Sequence, residues 1–423
     1  MGRAVFLMRS RSLPASQMTT LAAFTPDAAR TPETTLREVI EALAPLVRAA
    51  GSEDERKAAH WIADRLTAAG APAEVETARF RGDWASLIAS LAGAAAVGGA
   101  IGSTRKGRGL GAAIAGAATA LLADDASNGL RPARKALREE QDTWNVIAEA
   151  GDRDAERTLV VLAHHDAAHT GAIFDPTLGE KVLDKIPGIV ERRDTSLPFW
   201  WMALAGPVLA TAGSASGRRG LAAAGTALSA LSAASFADIH RSPIVPGAND
   251  NLTAVASLVA LAEAFRDRPL KGLRVQLVSC GAEEELQGGI YGYCENHLSR
   301  MDREKTWVFN IETVGGPSLA LVEGEGCFVM EDYYDRPYRD LIGRVAERDG
   351  TPLRRGMRSR ASTDSVLPSR MGIPTATLVS IDRHKALSNY HLPSDTPENV
   401  CYPTVACAVD LAESVARELA AKS

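Results

Sequence analysis

Apolar positions recur at a helical spacing early in the chain and predict helices over residues 35–50 and 52–69. In the second, Ser52 stands as N-cap with Glu55 three residues on, a capping-box arrangement, and Ala59, Ile62, Ala63 and Leu66 form one stripe that ends at Gly70. Ala73–Phe80 then alternates as a strand does. Further strands are expected over 145–149, 158–163, 275–279, 307–311 and 375–379. Helices are expected over 252–265, 337–348 and 405–421, the first with Val255, Leu258, Val259, Ala262 and Phe265 on one face. Alternation of this kind predicts an α/β fold with a mixed, largely parallel central sheet flanked by helices.

Two regions break the pattern. Residues 84–104 carry no charge, Arg105, Lys106 and Arg108 follow, and 109–123 is uncharged again. The same design returns at 195–217 and 220–237, with Arg218 and Arg219 between them. These read as two inserted Ala/Gly-rich helical hairpins, and Gly98 with Gly102 suits close helix contact. The first run is about 21 residues, enough to cross a bilayer. A membrane anchor is one expectation, giving a membrane-associated protein of undetermined sidedness. Hairpins packed on a soluble, cytoplasmic domain are the alternative. The expected divisions are a flexible leader over 1–34, a catalytic domain over 35–83 and 131–423, and insertions over 84–130 and 176–243.

Composition narrows the function. The net charge of −5 gives no sign of nucleic-acid binding. Five cysteines without a Cys-x-x-Cys pair argue against a disulfide scaffold or a thiolate zinc site. The 423 residues suffice for one large core with insertions.

The chemistry gathers around residues 277–284, where the strand of Val275 to Ser279 is broken by Gly281 and leads to Glu283 and Glu284. One carboxylate beside a metal holds the ion while its neighbour takes a proton from water. His164-x-Asp166 ends another strand, and in that pair the imidazole binds a metal while the carboxylate orients it. Asp250 lies in a Gly-Ala-Asn-Asp-Asn turn, where it caps the following helix or bridges two cations. Glu312 follows a strand, and His391 sits in a Pro-bearing loop. His165 and His169 read as ordinary polar residues.

Taken in order, His164-x-Asp166, Gly247-Ala-Asn-Asp250-Asn, Gly281-Ala-Glu283-Glu284, Asn310-x-Glu312 and Tyr390-His391-x-Pro-x-Asp395-Thr-Pro resemble the di-zinc metallopeptidase family of bacterial leucyl aminopeptidases and glutamate carboxypeptidases. The helix opening at Gly51-Ser-Glu-Asp-Glu55 and Gly372-Ile-Pro374 look typical of it too. The resemblance implies a zinc exopeptidase-like fold binding two Zn²⁺ per chain. Asp250 would bridge the ions, His164 and Glu312 would complete one, and Glu284 and His391 the other. Glu283 would be the general base and Asp166 the residue behind His164. The implied activity is hydrolysis of a peptide substrate at a chain end, an aminopeptidase first.

Three differences stand out: Glu312 replaces a usual Asp, the stretch after Glu284 is shortened, and a long insertion separates His164 from Asp250. The shortened stretch leaves open a frame in which Glu284 is the base and Glu285 the ligand. The competing readings are an inactive, membrane-associated binding protein of the same fold, and carboxypeptidase or cyclase activity.

Overall fold

The structure is a computed structural model that describes residues 30–421. Two helices, α1 (Glu33–Leu43) and α2 (Glu53–Ala68), lead to β1 (Ala73–Phe80). The first insertion follows as α3 (Trp84–Gly102) and α4 (Arg108–Ala126), then α5 (Pro132–Leu137), β2 (Gln141–Gly151) and β3 (Thr158–His164). The second holds α6 (Thr177–Leu183), α7 (Pro187–Arg192), α8 (Phe199–Ser216) and α9 (Arg219–Arg241). Next come α10 (Thr253–Asp267), β4 (Arg274–Cys280), α11 (Gly288–Asn296), β5 (Thr306–Ile311), β6 (Ser318–Glu325) and β7 (Glu331–Asp332). The chain closes with α12 (Arg336–Asp349), β8 (Arg354–Ser359), α13 (Val366–Arg370), β9 (Thr375–Ile381) and α14 (Tyr402–Ala420).

The strands form one sheet in the order β1-β2-β4-β3-β5-β9-β6-β7, with β8 paired to β6. The middle four, β4-β3-β5-β9, are parallel, and β1 and β2 join antiparallel on one side. Every residue of β3 and β9 is buried, as expected of strands covered on both faces. Helix α10 packs beneath the sheet with α1 and α14, and its Val255, Leu258, Val259 and Ala262 belong to the main core. The expected mixed, largely parallel sheet is therefore present.

Several local expectations are corrected. The first helix stops at Leu43, not residue 50, because Arg48 folds inward instead of facing water. It is fully buried and donates to the carbonyls of Leu43, His165 and Pro246 at 2.7–2.8 Å. The Ser52 cap is real, accepting from the Glu55 N–H at 3.1 Å, but Glu55 does not close the box. Its carboxylate accepts from Gly51 N and Ala282 N. Strands β6 and β8 were not expected. The alternation of β8 is masked by its arginines, which pair with Glu323 and Asp332. Of the leader expected over 1–34, residues 1–29 lie outside the described residues. Arg30 and Thr31 bind Asp410, and α1 starts at Glu33.

The two hairpins are not separate. Helices α3, α4, α8 and α9 pack as one four-helix bundle, although the 72 residues 127–198 separate the pairs. Glycines set the closest approaches. A Cβ on Gly213 would fall 2.2 Å from Ala222 N, and one on Gly225 would fall 2.1 Å from Ala210 N. Helices α6 and α7, inside the second insertion, lie outside the bundle.

Candidate metal centre

Three parallel strands deliver side chains to one edge of the sheet, because parallel strands end at the same edge. His164 is the last residue of β3, Glu283 and Glu284 follow β4, and Glu312 follows β5. Asp250 enters from the turn before α10 and His391 from the loop after β9. His164 Nε2 lies 3.3 Å from Asp250 Oδ1 and 3.2 Å from Glu312 Oε1. His391 Nε2 lies 3.5 Å from Asp250 Oδ2 and 3.1 Å from Glu284 Oε2. Asp250 thus turns one oxygen to each imidazole. Glu283 stands at the rim of the first grouping, its Oε2 4.0 Å from His164 Nε2. All five expected ligands and the expected base converge.

The donor set fits divalent cations. Asp250 Oδ2, Glu284 Oε1, Glu312 Oε2 and His391 Nε2 are buried without a hydrogen-bond partner, the last despite its closeness to Glu284. Buried carboxylates in that state are costly unless a positive charge stands among them. The same need shows in the imidazoles. Burial opposes their charge, yet Glu312 drives His164 well above its ordinary range, and Glu284 drives His391 to about 10. Burial opposes the charge of Asp250 also, but the two imidazoles beside it hold its carboxyl below the usual range. Burial pushes the Glu283 carboxyl well up, with His164 working against it. A set of imidazole nitrogens and carboxylate oxygens suits zinc. His164, Asp250 and Glu284 each present a ligand atom, and these three lie within 4.8 Å of one another.

Residues behind the ligands hold the arrangement. Asp166 accepts from the backbone N–H groups of Glu283 and Glu284, both at 3.0 Å, and its Oδ1 lies 3.4 Å from His164 Nδ1. Asp395 does the same for the Asp250 turn, accepting from Asn249 N at 2.7 Å and Asp250 N at 3.0 Å. Asp250 therefore does not cap α10; it is itself held in place. Ala282, Thr313 and His391 have positive φ of 51–54°, and such conformations in side-chain-bearing residues cost energy that a functional site tolerates. Asp166→Asn keeps an acceptor for one of the two N–H groups and turns an NH₂, which cannot accept, toward the other. It is expected to weaken metal binding by about 10–100-fold. Competition against a zinc chelator checks this, and an unchanged affinity refutes it.

Glu285 Oε2 accepts from Trp84 N at 3.0 Å, away from the histidines, while Glu284 reaches His391. The longer Glu312 side chain also reaches its histidine. His165 bonds Ser279 Oγ, and burial lowers it to about 4, so it is a neutral structural histidine; His169 bonds Ser242 O. Sequence reasoning missed four residues. Glu55 ties Gly51, Ala282 and Thr143 together, and burial pushes it up to about 8. Arg48 joins the β3 end to the Asp250 turn. Gln287 donates to Glu283 Oε1 at 3.0 Å. Asp364 is buried near the centre, pushed up to about 8 by burial, with His164 opposing and Glu312 adding. Of these, Glu55 stood in a noted motif, where the capping pattern offered a sufficient reason of its own.

Residues 233–416 match peptidase family M28. The resemblance read from the motifs is borne out. The M28 stretch contains Asp250, Glu283, Glu284, Glu312 and His391, whereas His164 and Asp166 lie upstream and join the site through the fold. Among curated proteins, none matches the chain. An aminopeptidase from Aneurinibacillus sp. strain AM-1 shares the fold at TM-score 0.53 and 14% identity, covering 91% of this chain and 93% of that one. A zinc aminopeptidase from Bacillus subtilis does so at 0.54 and 14%, covering 93% and 95%. A glutaminyl cyclase from Bacteroides thetaiotaomicron superposes at 0.54 and 11%, covering 92% and 99%. At these identities the likeness is one of fold.

Proposed function

We propose that the chain is a zinc-dependent aminopeptidase holding two Zn²⁺ ions. The observation that carries this reading is the placement of His164 and His391 on the two oxygens of Asp250. Asp250 would bridge the ions, with His164 and Glu312 on one and Glu284 and His391 on the other. Bound there, the pair would acidify a water molecule, polarise the scissile carbonyl and attract the substrate's free amine. Glu283 takes the proton from the attacking water and delivers it to the leaving nitrogen as the C–N bond breaks. Burial raises its carboxyl well above the ordinary range, which suits a group that must both accept and return a proton. Gln287 holds one oxygen of Glu283 and leaves the other facing the metal groupings. Asp166 fixes His164 from behind.

A pocket beside Glu284 and His391 is walled by Trp84, Ile239, Ile244 and Ala168. Such walls favour an apolar terminal side chain. Peptides with a free amine and an N-terminal Leu are therefore expected to be cleaved, N-acetylated ones not, and N-terminal Glu peptides at a kcat/KM at least about tenfold lower. Mass spectrometry of the products checks this. Cleavage from the carboxyl end, or of blocked peptides, refutes the aminopeptidase reading. The fold also serves a glutaminyl cyclase. Loss of ammonia from N-terminal Gln peptides, as the α-amine displaces the side-chain amide nitrogen and the peptide bonds stay intact, would mark cyclisation here. A zinc-free protein without hydrolysis would mark an inactive binding protein.

A further inference from the structure

The four-helix bundle is built the wrong way round for water. A bundle in solution buries Leu and Ile between its helices and presents Lys and Glu outward. Here the shafts carry no charged residue at all over 84–104, 109–123, 195–217 and 220–237. Beyond the base, the inward positions of α8 are Ala203, Gly206, Ala210 and Gly213, and those of α9 are Ala222, Gly225, Ser229 and Ser232. Past the base the larger apolar side chains point out, whereas Leu87, Ile88, Leu91 and Leu122 are buried with the base aromatics. Val97, Leu110, Met202 and Leu231 are all more than half exposed, and Val208 and Leu228 are exposed as well. Hydroxyl groups turn back on their own helices: Thr119, Thr211 and Thr226 donate to carbonyls four residues earlier. Thr119 and Thr211 also meet across α4 and α8 at 3.2 Å. Small inward residues and outward Leu and Val are what a lipid solvent selects, and of the inward hydroxyls Ser214 Oγ and Ser229 Oγ stay without a partner.

The two ends differ in kind. At the base, Trp84, Phe199, Trp200 and Phe236 pack on one another, with Trp201 beside them and half exposed. At the tip, Arg105, Lys106, Arg108, Arg218 and Arg219 come from both hairpins. The tips meet, since Arg108 donates to Ala215 O at 3.2 Å. A 19-residue helix such as α3 is about 28 Å long, against a hydrocarbon core of about 30 Å. Both α3 and α9 are long and apolar enough to cross a bilayer by length and composition. A second copy set side by side in the same sense would bring two clusters of five basic residues together. Anionic headgroups neutralise that cluster instead.

We propose that the bundle inserts across a lipid bilayer, its basic tip among anionic headgroups and its aromatic base at the opposite surface beside the metal centre. Trp84 and Ile239 of the bundle base line the pocket next to Glu284 and His391, so substrate would be met at the membrane surface. The proposal does not rest on the peptidase reading, and its test reads no activity.

The full chain is expressed in a bacterial host, and its membranes are washed with high salt and alkaline carbonate. The protein is expected to stay with the membrane and to dissolve in mild detergent as a monodisperse species. Flotation with phosphatidylglycerol vesicles is expected to exceed that with phosphatidylcholine several-fold, and Arg218→Glu with Arg219→Glu to abolish the difference. Val208→Glu with Leu231→Glu removes little packing, because both side chains are exposed; it is expected to move the protein several-fold into the soluble fraction. A monodisperse soluble protein, a soluble dimer, release by salt alone, or a pellet that detergent does not dissolve would each overturn the proposal.

Discussion

Glu283→Gln is expected to retain both zinc ions and to lower kcat by about 10²–10⁴-fold, the usual contribution of a positioned acid–base group. The amide keeps the shape and the hydrogen bond from Gln287, because its oxygen still accepts. It cannot take a proton from water. Loss of stability is not a rival explanation, and the sign can be worked out. Burial raises the Glu283 carboxyl well above its ordinary range, so in the metal-free protein its charge opposes folding once the pH passes the unfolded value. That penalty grows with pH until the folded-state value is reached. A neutral Gln is free of it, so the melting temperature of the metal-free variant at neutral pH should equal or exceed that of the parent. Metal content by atomic spectroscopy, kcat and melting curves on the same preparation settle the point. Normal turnover by the variant means that the base is another group.

The second large effect belongs to Asp250. Every other ligand serves one grouping, whereas Asp250 faces His164 with one oxygen and His391 with the other. Asp250→Ala is expected to weaken zinc binding by more than about 100-fold, beyond what removing a partner behind a ligand does, and to take activity with it. Glu312→Ala is the control, because it strips one grouping only. One ion retained after Glu312→Ala and none after Asp250→Ala is the pattern that a shared carboxylate produces. Equal losses in the two variants would show that Asp250 is not shared.

Legibility followed the range of the interactions. The buried strands β3, β4, β5 and β9 were read because an unbroken run of β-branched and aliphatic residues is a local signal. The edge strand β8 was not. Its arginines serve Glu323 and Asp332 on other strands, and a strand read alone shows only a charged run. The site divides in the same way. His164, Asp250, Glu284, Glu312 and His391 stood out because each occupies a short motif at a strand end or turn. Arg48 gave no signal, since its partners are the carbonyls of Leu43, His165 and Pro246, two of them more than a hundred residues away.

What the sequence determined on its own was therefore the alternation of elements, the chemical identity of the metal-facing side chains and the charge-free hairpins, all properties of neighbours along the chain. Tertiary structure decided the rest. It turned Glu284 to His391 and Glu285 to Trp84, and it set Asp250 between His164 and His391 instead of at a helix cap. It also merged two distant hairpins into one bundle. Each of these turns on which groups come within about 3 Å to exchange a hydrogen bond, and that is set by the packing of the sheet and not by separation in sequence.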